Sequence, residues 1–363
     1  MTASGAPATP LLELRAVSKT YGSGVLDSSH VTVALDRISL SFPDQGATMT
    51  AVAGESGSGK TTLARLLLGF IDPTAGHVFY RGTDVAAMSR QQRSQFRREV
   101  QPIFQDPFEV FNPFYRVDHV LTVPIRRYGL ARTSAERRRL IEPALEMVGL
   151  RAAETLGRYP HELSGGQRQR IMVARALLLR PKVIVADEPV SMVDASLRAT
   201  ILSSLRRLNQ ELGIAVVYIT HDLATAYQIC DNIIVMYRGS VAEAGSVEQV
   251  IGRPKHPYTQ LLVSSIPLAE PTRRWGSDAG LDSEVRSETG IGCKFAGRCP
   301  AVFDKCRTTE PPFYLPDGER AVACFLYENA SVLGSMSATD VFQQPVTIGT
   351  DDEAKTRQGG RAG

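Results

Sequence analysis

Residues 54–61 read GESGSGKT and fit the pattern G-x-x-x-x-G-K-[S/T] at every fixed position. An apolar run, MTAVA (49–53), precedes the string, and TTLARLLLGF (61–70) follows it with the apolar spacing of a helix. A strand that turns through glycines into a helix start points several backbone N–H groups at one place, and such a nest favours an anion. Gly54, Gly57 and Gly59 permit the backbone angles, while Glu55, Ser56 and Ser58 complete the loop. Lys60 can then reach the outer phosphates of a nucleotide. The Thr61 hydroxyl can bind Mg2+, and Thr62 closes the set at the helix start.

Moving outward, two apolar runs bounded by turn residues, VIVADEP (183–189) and AVVYITHD (215–222), predict buried strands. A helical stretch follows each, and this alternation predicts a parallel α/β sheet. Further strands are expected in LLELRAVSKTY (11–21), VTVALDRISLSF (31–42) and the pair IIVMYRGSVAEAG (233–245), with a short helix in SVEQVIG (246–252). Helical spacing dominates from about 115 to 180. At the end of VIVADEP, Asp187 suits a Mg2+ ligand and Glu188 a group that orients or deprotonates an attacking water.

The chain has 363 residues, 43% hydrophobic and 22% charged, with a formal charge of +3. That is an ordinary globular composition and gives no reason to expect a nucleic-acid partner. The basic stretches RQQRSQFRR (90–98) and ERRR (136–139) read as solvated helix faces. No apolar run reaches the ~18 residues of a membrane span. MTASGAPATPLLEL (1–14) lacks the pattern of a signal peptide, so a cytoplasmic protein is expected, reaching any membrane through a partner.

Composition divides the chain into a disordered lead (1–10), a main domain (11–266), a linker (267–291), a Cys-rich module (292–330) and a flexible tail (331–363). Cys293, Cys299, Cys306 and Cys324 are spaced C-x5-C-x6-C-x17-C. Four thiolates at that spacing could ligate zinc or an iron–sulfur cluster. Cys230, alone in AYQIC, reads as a small buried apolar residue.

A second glycine motif, LSGGQ (163–167), opens a helix with Ser164 as N-cap and Gly165, Gly166 and Gln167 in its first turn. With this string the chain resembles the ATPase subunits of ATP-binding-cassette transporters over residues 11–330. The resemblance implies an α/β P-loop cassette with a parallel core, an antiparallel β subdomain and a helical subdomain at about 106–180. It also implies that each ATP lies between the phosphate loop of one cassette and residues 164–167 of a second. Further matches are Tyr21 to the aromatic that stacks on adenine, and Gln105 to the glutamine that touches Mg2+ and water. His221 matches the histidine at the γ-phosphate, and Asp194 a loop at the dimer seam. The chain departs from the family's usual residues at Val190, Met192 and Val193, which spares these positions.

Gln105 and Ser164 stand 59 positions apart, room for a compact helical insert and none for a long coiled coil. QDPFEVFNPFYRV (105–117) carries Phe108, Phe111, Phe114 and Tyr115, some in the core and at least two expected in the groove that receives a permease helix. RPKHPYTQLLVSSIP (253–267) and GCKFAGRCPAVFDKC (292–306) resemble the C-terminal region of oligopeptide, dipeptide and nickel importers. Peptide import is thereby implied, with a second ATPase subunit, two permease subunits and an extracytoplasmic binding protein as partners. The four cysteines would then hold a [4Fe-4S] cluster, and the site would be the cytoplasmic face of the cell membrane. Import of nickel or another small solute is the alternative, and a soluble cassette ATPase acting on nucleic acid or ribosomes a more distant one.

Overall fold

A computed structural model of the chain describes residues 9–22, 31–43, 47–106, 110–266, 291–334 and 337–342. The first eight residues, Phe108, nearly all of the expected linker and the chain beyond 342 lie outside that set.

The first half of the fold runs β1 (Leu12–Tyr21), β2 (Thr32–Phe42), β3 (Met49–Ala53), α1 (Lys60–Leu67), β4 (Ala75–Tyr80), β5 (Thr83–Asp84), α2 (Arg90–Glu99), β6 (Val100–Ile103), α3 (Asp118–Arg127), α4 (Ser134–Met147), α5 (Ala152–Thr155) and α6 (Gly165–Leu177). It continues with β7 (Val183–Asp187), α7 (Ala195–Leu212), β8 (Ala215–Ile219), α8 (Leu223–Ile229), β9 (Asn232–Tyr237), β10 (Ser240–Ser246), α9 (Val247–Gly252), α10 (Pro257–Ser264), α11 (Asp304–Thr308), β11 (Tyr314–Leu315), β12 (Ala321–Val322) and β13 (Ser331–Val332).

Two sheets result. The main one has the order β13-β11-β12-β10-β9-β3-β8-β7-β6, parallel from β9 through β3, β8 and β7 to β6. The second is antiparallel, β2-β1-β4-β5. The hairpin of β4 and β5 carries no clear alternation in the sequence and was not anticipated.

The parallel strands are apolar on both faces because both are covered. Ile184, Ala186, Val216 and Tyr218 point into a core shared with α6 and α7. The residues between them, Val183, Val185, Val217 and Ile219, point into another core shared with α1 and the antiparallel sheet. That two-residue alternation sandwiches the sheet between a helical layer and a β layer. Helices α3 to α6 occupy the stretch from 115 to 180 where helical spacing was expected, and α2 buries only Phe96 along its arginine-rich length. No helix among the described residues is long and apolar enough to cross a membrane.

The C-terminal region differs from the expectation of a separate module and a loose tail. Strand β12 pairs antiparallel with β10 (Glu243 with Val322, Ala244 with Ala321), and β11 and β13 continue outward from it. The post-linker segment therefore extends the main sheet. Residues 337–342, counted in the tail for their polar composition, pack on β2: Ala338 is buried, and the Ser41 N–H donates to Thr339 Oγ1 at 2.7 Å. A few small side chains suffice here because an existing strand edge supplies the surface.

A buried ion pair fastens this extension. Arg320 Nη1 donates to Glu243 Oε1 (3.3 Å) and to the carbonyls of Gln249 and Arg253 (2.9 and 2.6 Å), and its Nε donates to Asp317 (2.7 Å). Glu243 also accepts the backbone N–H groups of Lys255 and His256. Burial pushes the Glu243 carboxyl above its usual range, against the pull of those hydrogen bonds and of Arg320. Burial likewise drives the His256 pKa down to about 4, so the imidazole is neutral and its Nδ1 accepts the Tyr258 N–H at 3.0 Å.

Candidate nucleotide site

The phosphate loop sits where β3 ends and α1 begins. Gly59 is its last residue and has φ 101°, and a Cβ there would lie 2.4 Å from the Ala34 carbonyl. Gly54 is equally constrained, since a Cβ would lie 2.2 Å from the Met236 carbonyl. Ser56, Gly57 and Thr61 are exposed, whereas Ser58 and Lys60 are buried. Lys60 Nζ spans the loop and donates to Gly54 O (2.7 Å) and Glu55 O (2.8 Å). Burial lowers the pKa of its ammonium, while Glu188, Asp187 and Glu55 act in the opposite direction. One lysine thus sits in the field of three carboxylates.

Strand β7 delivers Asp187 and Glu188 to the same place. Glu188 has φ 44°, unusual for a residue with a side chain, and its N–H is tied to Ile219 O at 3.0 Å. Such a conformation costs ~1–3 kcal/mol and persists only where the surroundings enforce it. It aims the carboxylate between two partners: Gln105 Nε2 donates to Oε2 (3.2 Å) and His221 Nδ1 donates to Oε1 (3.0 Å). A carboxylate only accepts, so Nδ1 carries the proton in this arrangement. Gln105, Glu188 and His221 come from three separate loops, after β6, β7 and β8. Such a carboxylate can orient or deprotonate a water.

The resemblance to the cassette ATPases implies Mg2+ with the nucleotide, and the residues present fit it. Asp187 Oδ1 is buried and has no hydrogen-bond partner among the described residues, so a hard oxygen ligand is available. Burial, reinforced by the neighbouring Glu188, raises the Asp187 carboxyl, while the Thr61 hydroxyl, Lys60 and Arg65 lower it. A cation at this position would favour the ionised form.

Ser164 caps α6 as expected. Its Oγ accepts the Gln167 N–H (3.2 Å) and its own N–H donates to Gln167 Oε1 (2.9 Å). Among the described residues no hydrogen bond or ion pair joins 164–167 to 54–61. Asp194 is exposed and makes no capping bond to α7, and Tyr21 stands exposed at the end of β1. The chain therefore brings together the phosphate loop, Asp187, Glu188, Gln105 and His221, and among the described residues no hydrogen bond links 164–167 to them.

Of the aromatics after Gln105, Phe111 is core, while Phe114 (85% exposed) and Tyr115 (51%) face solvent. Cys230 is buried, and burial raises its thiol pKa, as suits an inert apolar residue.

The four late cysteines line one small cavity with His256, Phe303 and Phe325. The donors suit a soft metal in kind, but no three of them form a ligand set among the described residues. Burial raises the thiol pKa values of Cys293, Cys299 and Cys324, the last to about 11, and the neighbouring thiols add to the shift.

The site also includes residues that sequence reasoning missed. Arg298 forms a two-pronged ion pair with Glu55, and Tyr258 Oη accepts the Glu55 N–H at 2.8 Å. Their only signal was position in segments that resemble a transporter C-terminal region.

Residues 35–191 match the model of the ABC transporter family, and residues 242–306 that of the oligopeptide/dipeptide transporter C-terminal region. The chain is 43% identical over 305 residues to a Brucella ovis protein described provisionally as a peptide import ATP-binding protein, covering 84% of this chain and 93% of that one. The chain belongs to the ABC transporter ATP-binding proteins. It is also 39% identical to the dipeptide transport ATP-binding protein DppF of Haemophilus influenzae, over 87% of this chain and 97% of that one. A solved ATP-binding cassette, dimeric and bound to ADP and Pi after hydrolysis, aligns with TM-score 0.58 and 29% identity over 65% of this chain and 98% of that one. The ABC cassette is an ATPase, and the α/β P-loop fold is that of this family.

Proposed function

We propose that this protein is the ATP-hydrolysing subunit of a peptide importer, with ATP sandwiched between two cassettes. The observation that carries the reading is the convergence of Gln105, Glu188 and His221 beside Lys60, while among the described residues no hydrogen bond or ion pair links residues 164–167 to that cluster. A second molecule, arranged head to tail, would supply the missing loop, with Asp194 at the seam. Glu188 acts as base toward water, His221 contacts the γ-phosphate, and Tyr21 stacks on adenine. Thr61, Asp187 and Gln105 would hold Mg2+, which would neutralise charge developing on the phosphates.

Relatives named for peptide and dipeptide transport support peptide as cargo. The exposed Phe114 and Tyr115 suit a permease docking surface on the cytoplasmic face of the membrane. Two permease subunits and an extracytoplasmic binding protein complete the assembly, and no nucleic acid is involved. Affinity purification from detergent-solubilised membranes should bring down integral membrane proteins in stoichiometric amount. Recovery of the cassette with ribosomes or nucleic acid instead would overturn the importer reading.

The four cysteines are read as the ligands of a [4Fe-4S] cluster, with zinc as the other metal of suitable chemistry; the cavity they line together supports this, and binding would have to draw them into a ligand set that they do not form here. Elemental analysis of protein purified without oxygen should find about four irons, or one zinc, per chain. Protein free of both metals would exclude the assignment.

A further inference from the structure

Glu55 is an awkward residue for an anion-binding loop. It follows Gly54 directly, and its carboxylate lies near enough to Lys60 to raise that ammonium's pKa. A free carboxylate at that range opposes the approach of a triphosphate. The structure answers it from 243 residues away. Arg298 Nη1 and Nη2 donate to Glu55 Oε2 and Oε1 at 2.9 and 3.1 Å, a fork-to-fork pairing.

The arginine does not hang free. It ends a short turn (Ala296–Arg298) whose anchor, Phe295, is fully buried among aromatic rings, 5.2 Å from Tyr237 and 5.5 Å from Tyr258. The guanidinium lies 5.9 Å from the Tyr237 ring, and Tyr258 binds the Glu55 N–H. A second tie runs parallel to it. Lys294 Nζ pairs with Asp36 at 2.8 Å, the Asp36 N–H donates to Gly239 O, and the Gly239 N–H donates to Ser58 O inside the loop. The C-terminal segment thus holds the phosphate loop directly at Glu55 and, through Asp36 and Gly239, indirectly at Ser58.

We propose that Arg298 is a positioning residue for ATP: by neutralising Glu55 it lets the C-terminal segment set the affinity of the phosphate loop for the triphosphate. This joins the two segments that match separate family models, and it gives the second a task at the first. The inference rests on the reading of residues 54–61 as the nucleotide loop.

The test is Mg-ATP titration and steady-state hydrolysis with the full-length protein. Wild type should bind ATP and Lys60→Ala should not; failure of that pair overturns the nucleotide-loop reading itself, and this inference with it. Arg298→Ala should raise Kd and KM together by about three- to tenfold, with kcat at saturating ATP changed less than about twofold. Arg298→Lys, which keeps the charge, should retain most of the affinity. Glu55→Gln should bind ATP about two- to threefold more tightly, because Arg298 is then left as an unpaired cation. Adding Glu55→Gln to Arg298→Ala should recover most of the lost affinity. A merely structural clamp predicts the opposite sign for Glu55→Gln: that variant then weakens binding as Arg298→Ala does, and the double variant is no better. That pattern, or an Arg298→Ala variant with wild-type affinity, overturns the proposal while leaving the nucleotide loop intact. Should Arg298→Ala fail to fold, Glu55→Gln and Arg298→Lys decide the matter by the same signs.

Discussion

Glu188→Gln is expected to lower ATP hydrolysis by about 10²–10⁴ while ATP binding persists. In the barrier that is ~3–5.5 kcal/mol. The amide keeps the shape but cannot take a proton, and its NH2 end conflicts with the donors aimed at this side chain, Gln105 Nε2 and His221 Nδ1. Binding should survive because Lys60 and the loop amides are untouched. Phosphate release and nucleotide binding, measured on the same preparation, separate the two effects. Near-normal turnover would remove Glu188 as the base; loss of binding would mean that the substitution disturbed the loop. His221→Ala is the useful comparison, since it removes one donor and leaves the carboxylate.

The second large effect concerns stability. Arg320→Ala should destabilise the fold by about 3–5 kcal/mol, because Glu243 would be left buried without its counter-charge. Arg320 is 2% exposed and Glu243 0%, so water does not reach either side chain to compensate. Two carbonyls, of Gln249 and Arg253, would lose a donor as well. The combined variant Glu243→Gln with Arg320→Met should be milder than Arg320→Ala, since no unpaired charge remains. Denaturant unfolding with the midpoint and slope both fitted reads this directly. An Arg320→Ala loss below about 1 kcal/mol would mean that the pair contributes little and that β12 is held by its strand partners alone.

Much of the nucleotide site was legible because its parts are local. GESGSGKT names the loop, since a nest for phosphate requires those glycines, lysine and threonine at fixed offsets along one short stretch. LSGGQ names the capped start of α6 for the same reason: a cap and its N3 residue are three positions apart, and Ser164 with Gln167 obeys that rule. Strands β7 and β8 were legible as unbroken apolar runs because both of their faces are buried. Gln105, Glu188 and His221 were placed singly, by resemblance, and no spacing in the chain announces that they meet. They meet because β6, β7 and β8 are neighbours in one parallel sheet and end on the same edge.

The polar tail misled the reading because composition measures what a segment could bury by itself. Residues 337–342 bury little of their own, yet the edge of β2 offers them a surface, and Thr339 finds a backbone partner there. The phosphate-loop pattern, the capped start of α6 and the alternation of strand and helix were determined by the sequence alone, since short-range spacing encodes them. The attachment of the C-terminal segment to the main sheet, the Arg320–Glu243 pair and the reach of Arg298 to Glu55 were decided only in the tertiary structure. Each joins single charges or short strands across 77 or more residues, and an isolated charge has no periodicity from which its partner could be read.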